Sequence, residues 1–150
     1  MAYQTIRDIV EHVRSVHRRL CDAVREARSE ADDERTALLL AVIDEHESTL
    51  ERAVESAQQT GGSVLDTWLQ FDPNAEVERA MRHRASDSPS SRDAIVAHVL
   101  ETENSLMRLY ELLRGSTSSP SVQSFFLSLL EIEDSAVRQS ARVVLEAGDI

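Results

Sequence analysis

Turn-forming residues are scarce in this chain. Four glycines and three prolines are spread over 150 residues, and between them run long stretches whose apolar residues recur at helical spacing. A fold of many short strands needs a turn signal about every 8–12 residues. Long helices need far fewer, so the scarcity of breakers points to an all-α chain. The core must be aliphatic, because hydrophobic residues make up 41% of the chain and aromatic ones only 4%.

The 3.6-residue periodicity predicts helices over about residues 3–29, 32–59, 91–114 and 119–147. In the first, Ile6, Ile9, Val13, Val16, Leu20, Ala23, Val24 and Ala27 share one face, with arginines and acids on the others. Asp32 and Asp33 supply capping and negative charge at the start of the second, and Gly61-Gly62 ends it. The stretch Leu65 to Phe71 carries the only tryptophan, Trp68, expected to anchor against the helices. Asp72-Pro73 reads as a cap followed by proline at the first helical position, opening a short helix to about Arg84. Ser86 to Ser91 is a polar loop, and Ser90 with Asp93 has capping-box spacing. Gly115 stops the third helix, and Ser119-Pro120 opens the fourth, which ends near Glu146-Ala147-Gly148. A short link, a crossover over residues 60–90 and a second short link specify one domain. The expected fold is a four-helix bundle with a short extra helix in its crossover between helices two and three.

The formal net charge is −11, and all 16 basic residues are arginine. Nucleic acid and anionic membrane surfaces both demand clustered cations, so neither is an expected partner. A chain without lysine fits either a GC-rich genome or a high-salt habitat. Cys21 is the single cysteine, which leaves no intrachain disulfide and no thiolate metal cluster. With no signal-peptide core and no apolar run approaching the ~18 residues of a membrane span, a soluble cytoplasmic protein is expected.

Polar residues inside the apolar faces carry the functional question. Glu133 is flanked within about 60° by Phe126, Leu129, Leu130, Ala136, Val137 and Val144. Glu103 has Val96, Val99, Leu100, Leu106, Met107 and Tyr110 around it in the same way. In the second helix His46 sits inside the face of Leu39, Ile43, Leu50, Val54 and Ala57, with Glu47 on its margin. His17 lies at the margin of the first helix's face. Each of His17, His46, Glu103 and Glu133 is about 12–14 residues from the start of its helix, so all four fall at one level. Two chemistries suit that convergence: a closed polar network that fixes the register of the core, or an iron, manganese or zinc site. His12, His83 and His98 read as surface residues, and Cys21 as packing.

The chain resembles the ferritin-like superfamily in its rubrerythrin-type branch. Leu39 to Glu47 aligns with Phe126 to Asp134, and Val10 to His17 with Glu103 to Tyr110, as an internal pseudo-repeat. The resemblance implies two irons held by a glutamate on helices one and three and by Glu-x-x-His on helices two and four. Glu103, seven residues before Tyr110, and Glu133 match two of those positions. The others are Val10, His46, Thr49 and Ala136, so no Glu-x-x-His is present. The expectation is a non-catalytic bundle with a vestigial metal centre, His17, His46, Glu103 and Glu133 forming a buried polar network and no cofactor required. The alternative is a metal-binding oxidoreductase or metal-handling protein using those four residues as ligands. The resemblance also implies a homodimer. A third reading, a pH-responsive core, follows from two imidazoles beside two carboxylates.

Overall fold

A computed structural model describes residues 2–71 and 92–148. Its elements are β1 (Ala2–Thr5), α1 (Ile6–Ser29), α2 (Glu34–Thr60), a 3-10 turn (Gly62–Asp66), β2 (Trp68–Phe71), α3 (Arg92–Gly115) and α4 (Pro120–Gly148). The described chain is thus mostly helical, with four long helices. None of them is long and apolar enough to cross a membrane. The short crossover helix expected from Asp72-Pro73 to Arg84, and Ser90 of the expected capping box, lie outside the described residues.

Local signals set most helix ends. The Asp33 carboxylate accepts from the Thr36 backbone N–H at 2.7 Å and from its hydroxyl at 2.8 Å, which starts α2 at the next residue. The same bonds hold the Asp33 carboxyl below its usual range. At the other end of α2 the chain turns at Gly62, with φ of +58°. The preceding Gly61 is needed for space, because a Cβ there would lie 2.8 Å from Leu65 Cγ and 2.9 Å from the Ala57 carbonyl. Ser119 precedes α4, its carbonyl accepting from Gln123 N–H at 3.0 Å.

The N-terminus departs from expectation. Residues Tyr3 to Thr5, expected in the first helix, form β1, which pairs antiparallel with β2 so that Gln4 faces Leu69 and Thr5 faces Trp68. The Thr5 hydroxyl accepts from Asp8 N–H at 3.2 Å and caps α1, while Ile6 N–H donates to the Thr67 carbonyl at 3.0 Å. Strand pairing with a segment more than sixty residues away overrides the local helical pattern. It also corrects the expected anchor. Successive strand side chains point to opposite faces; Leu69 is buried and Trp68 is 64% exposed. Leu65 and Leu69 join the core instead.

Each helix packs against two neighbours, in the cyclic order α1, α2, α4, α3. Every adjacent pair is antiparallel. Ile6 and Ile9 at the start of α1 meet Leu109 and Leu113 at the end of α3, and Leu39 and Leu40 at the start of α2 meet Val143 and Val144 near the end of α4. Along the α1–α2 seam Arg18 pairs with Glu51 at 2.9 Å and Arg25 with Asp44 at 3.0 Å. The aliphatic interior is not continuous. One cluster holds Val13, Val16, Leu106, Tyr110, Phe126 and Leu129, the other Leu20, Val24, Ile43, Ile95 and Val99. Between them lies a polar layer.

Candidate functional site

That layer is built from one side chain per helix: His17 on α1, Glu47 on α2, Glu103 on α3 and Glu133 on α4, all excluded from solvent. Each occupies a position on its helix's aliphatic stripe. His17 falls between Val13 and Leu20, Glu47 between Ile43 and Leu50, Glu103 between Val99 and Leu106, and Glu133 between Leu129 and Ala136. The burial that folds the helices therefore carries the polar groups inward.

His17 is the hub. Its Nδ1 lies 3.1 Å from Glu47 Oε2 and its Nε2 lies 3.3 Å from Glu133 Oε2. The Nδ1 contact is a hydrogen bond and the Nε2 contact an ion-pair approach; a ring carrying N–H on both sides would be an imidazolium. Burial opposes that charge, but the Glu133 and Glu47 carboxylates outweigh it and raise His17 from 6.5 to about 10. Glu103 is driven the other way in charge. Burial first, and then a hydrogen bond shared with Glu47, push its carboxyl up to about 12. That direction favours the neutral acid at Glu103. Burial raises Glu133 as well, against the pull of His17. Tyr110, two turns along α3 from Glu103, is raised well above its ordinary value by burial and by Glu133.

Hydrogen-bond supply in this layer is short. Glu47 Oε1, both oxygens of Glu103, Glu133 Oε1, His17 Nε2 and the Tyr110 hydroxyl are buried without a hydrogen-bond partner. A proton on Glu103 removes part of that deficit, because it gives Glu103 a donor and Glu47 a second bond. The layer can share protons among fixed acceptors and resist changes of helix register. Nearby Cys21 is buried, and burial with the Glu47 charge pushes its thiol up to about 12. Such a thiol is a poor nucleophile, in keeping with a packing role.

Three of the four expected residues, His17, Glu103 and Glu133, meet here, and His46 does not. Its Nδ1 is 2.9 Å from the Ser140 hydroxyl, and it lines a groove of about 360 Å³ on the α2–α4 seam with Thr49, Glu131, Ser135 and Gln139. Glu47, expected on the margin, takes the inner position. Leu40, Ile43, Glu47, Leu50 and Val54 form an alternating three-and-four spacing, which is the signal that identifies it. Leu39, Ile43, His46 and Leu50 have the same kind of spacing. Adjacent residues differ by ~100° of rotation, and the contacts of α2 with α1 choose between them. Ser140 and Tyr110 each lie seven residues after a buried glutamate, on the same stripe. Of the histidines expected at the surface, His12 is exposed and His98 half-buried, while His83 lies outside the described residues.

The resemblance to ferritin-like proteins implies a pair of irons, and the residues present do not fit one. Val10 is a buried aliphatic residue, and Thr49 and Ala136 bring no imidazole. Both nitrogens of His17 face carboxylates rather than offering a lone pair to a metal. Among the described residues, no group of three or more His, Cys, Asp and Glu side chains is arranged to hold a metal ion. No protein-family model, curated protein or solved structure matches this chain.

Proposed function

We propose that the chain is a non-catalytic, ferritin-like four-helix bundle that acts through its surface, its centre retained as a polar fastener. The observation that carries this reading is the double engagement of His17, which ties α1 to α2 through Glu47 and to α4 through Glu133. Glu103 is buried at the same level and lies close enough to Glu47 to feel its charge. Buried polar networks of this kind fix register where aliphatic packing is permissive. His17, Glu47, Glu103 and Glu133 are all excluded from solvent, so none of them is within reach of a substrate as a general base.

Elemental analysis of protein purified without chelator or added metal tests the proposal. The expected result is substoichiometric iron, manganese and zinc; one or more equivalents of any of them would overturn it. The second reading, a metal-binding oxidoreductase or metal-handling protein at the same residues, draws on the unpartnered oxygens of Glu47, Glu103 and Glu133. It requires His17 to surrender at least one of its carboxylate contacts. For self-association as a homodimer, the relevant surface is the α2–α4 seam. There a groove of about 570 Å³ is walled by Leu39, Val42 and Val143 beside Leu38, which is 62% exposed. Light scattering gives the mass directly, and a monomer at 0.1 mM would remove the dimer.

A further inference from the structure

Three carboxyl groups in a dry interior require a positive charge, protons or both, because an uncompensated buried carboxylate is costly. In carboxylate-rich helical bundles that charge is commonly a metal ion held between side chains of facing helices. Here the position between the carboxylates of α2 and α4 is filled by a side chain. We infer that His17 is the resident cation of this centre, its imidazolium bridging Glu47 and Glu133 in the electrostatic role of a metal ion. The inference rests on the proposed non-catalytic reading and assigns His17 a specific task within it.

The geometry favours this over an incidental buried histidine. A neutral imidazole has one N–H, so it can donate to one carboxylate and must turn a lone pair toward the other. Its two nitrogens lie 3.1 and 3.3 Å from carboxylate oxygens on opposite sides of the ring, Nδ1 in a hydrogen bond and Nε2 at ion-pair distance, so the charge of an imidazolium would be set against both carboxylates at once. The other titratable groups at this level cannot supply the charge. Glu103 and Tyr110 on α3 and Cys21 on α1 are neutral or anionic whatever their protonation, and burial disfavours the anion in each. The consequence is a site closed to divalent metals while His17 is present and opened by its removal. Without the imidazolium, Glu47 and Glu133 become oxygen donors on either side of a vacated position, with Glu103 beside them, a set that suits manganese or zinc.

Two measurements test the inference. In the first, the full chain labelled with ¹⁵N-histidine is observed by NMR at pH 8. The expected result is one histidine with both ring nitrogens protonated, a signal that His17→Gln removes. A neutral His17 at pH 8 would overturn the inference, and this result on the wild-type chain decides the matter whether or not any variant folds. In the second, thermal unfolding of His17→Ala is followed with MnCl₂ or ZnCl₂. A rise of roughly 5–10 °C is expected at a hundredfold excess over Kd, with no shift in the wild type. A folded variant indifferent to both metals, or a wild type that responds equally, would overturn it. Stoichiometric metal in the purified wild type would overturn the non-catalytic reading, whereas a metal-free wild type with neutral His17 would overturn this inference alone.

Discussion

Raising the pH through neutrality should destabilise this protein steeply. His17 is raised from 6.5 to about 10 in the folded chain and Glu103 from 4.5 to about 12. A group with a raised folded value contributes stability that is fully present below its unfolded value and lost as the pH climbs toward the folded one. Glu103 thus begins to lower stability above about pH 4.5, and His17 joins it above about 6.5. Between about pH 6.5 and 10 the folded chain holds two protons that the unfolded chain has released. Each lowers stability by about 1.4 kcal/mol per pH unit, giving about 2.7 kcal/mol per unit together. Across that window the loss amounts to about 9 kcal/mol, enough to exhaust a domain in the lower half of the ordinary range of about 5–15 kcal/mol. Urea unfolding followed by circular dichroism from pH 5 to 9, at fixed ionic strength, measures the slope. Glu103→Gln keeps an N–H donor without the ionisation, so it should halve the slope above pH 6.5. At pH 7 it should add up to about 3 kcal/mol, the energy of holding a 4.5 carboxyl protonated. Stability that is flat or rising between pH 6 and 9 in the wild type would refute the protonation pattern of the core.

Three further outcomes follow from the packing. Tyr110→Phe removes a buried hydroxyl without a partner, so urea unfolding should show unchanged stability or a gain of about 1 kcal/mol; a larger loss would mean that the hydroxyl is bonded. Leu69→Ala should cost about 2–4 kcal/mol because the side chain is buried in the core. Trp68→Ala on the opposite strand face should change stability by no more than about 0.5 kcal/mol, and equal losses from the two would contradict the register of the ribbon. Cys21 should resist iodoacetamide in the folded chain at pH 8 and react fully in urea, as mass spectrometry would show; rapid native alkylation would contradict its burial.

The helices were legible because their signals are local. Asp33, Gly61-Gly62 and Pro120 act within a turn of themselves, and the aliphatic stripes repeat along each helix. The ribbon was not. Tyr3 to Thr5 resemble a helical start until β2 supplies backbone partners, and nothing in four residues announces a pairing so distant in sequence. In the polar layer, Glu103 and Glu133 stood out because each is central in its stripe with no rival beside it. His46 and Glu47 competed as neighbours on α2, each compatible with the aliphatic spacing. The rotation that buries Glu47 comes from the α1 seam, where Arg18 and Arg25 engage Glu51 and Asp44. The charge states were not legible at all. They arise from His17 lying between two carboxylates and from Glu103 lying against a third acceptor, arrangements that exist only after four helices have met.

The central claim is that protons and an imidazolium, not a metal, neutralise the buried carboxyl groups. Infrared difference spectroscopy of the wild type against Glu103→Gln at pH 8 tests it most directly. The account predicts a protonated carboxylic acid C=O band in the wild type that is absent from the variant. A difference spectrum showing only an ionised carboxylate lost from position 103 would contradict it.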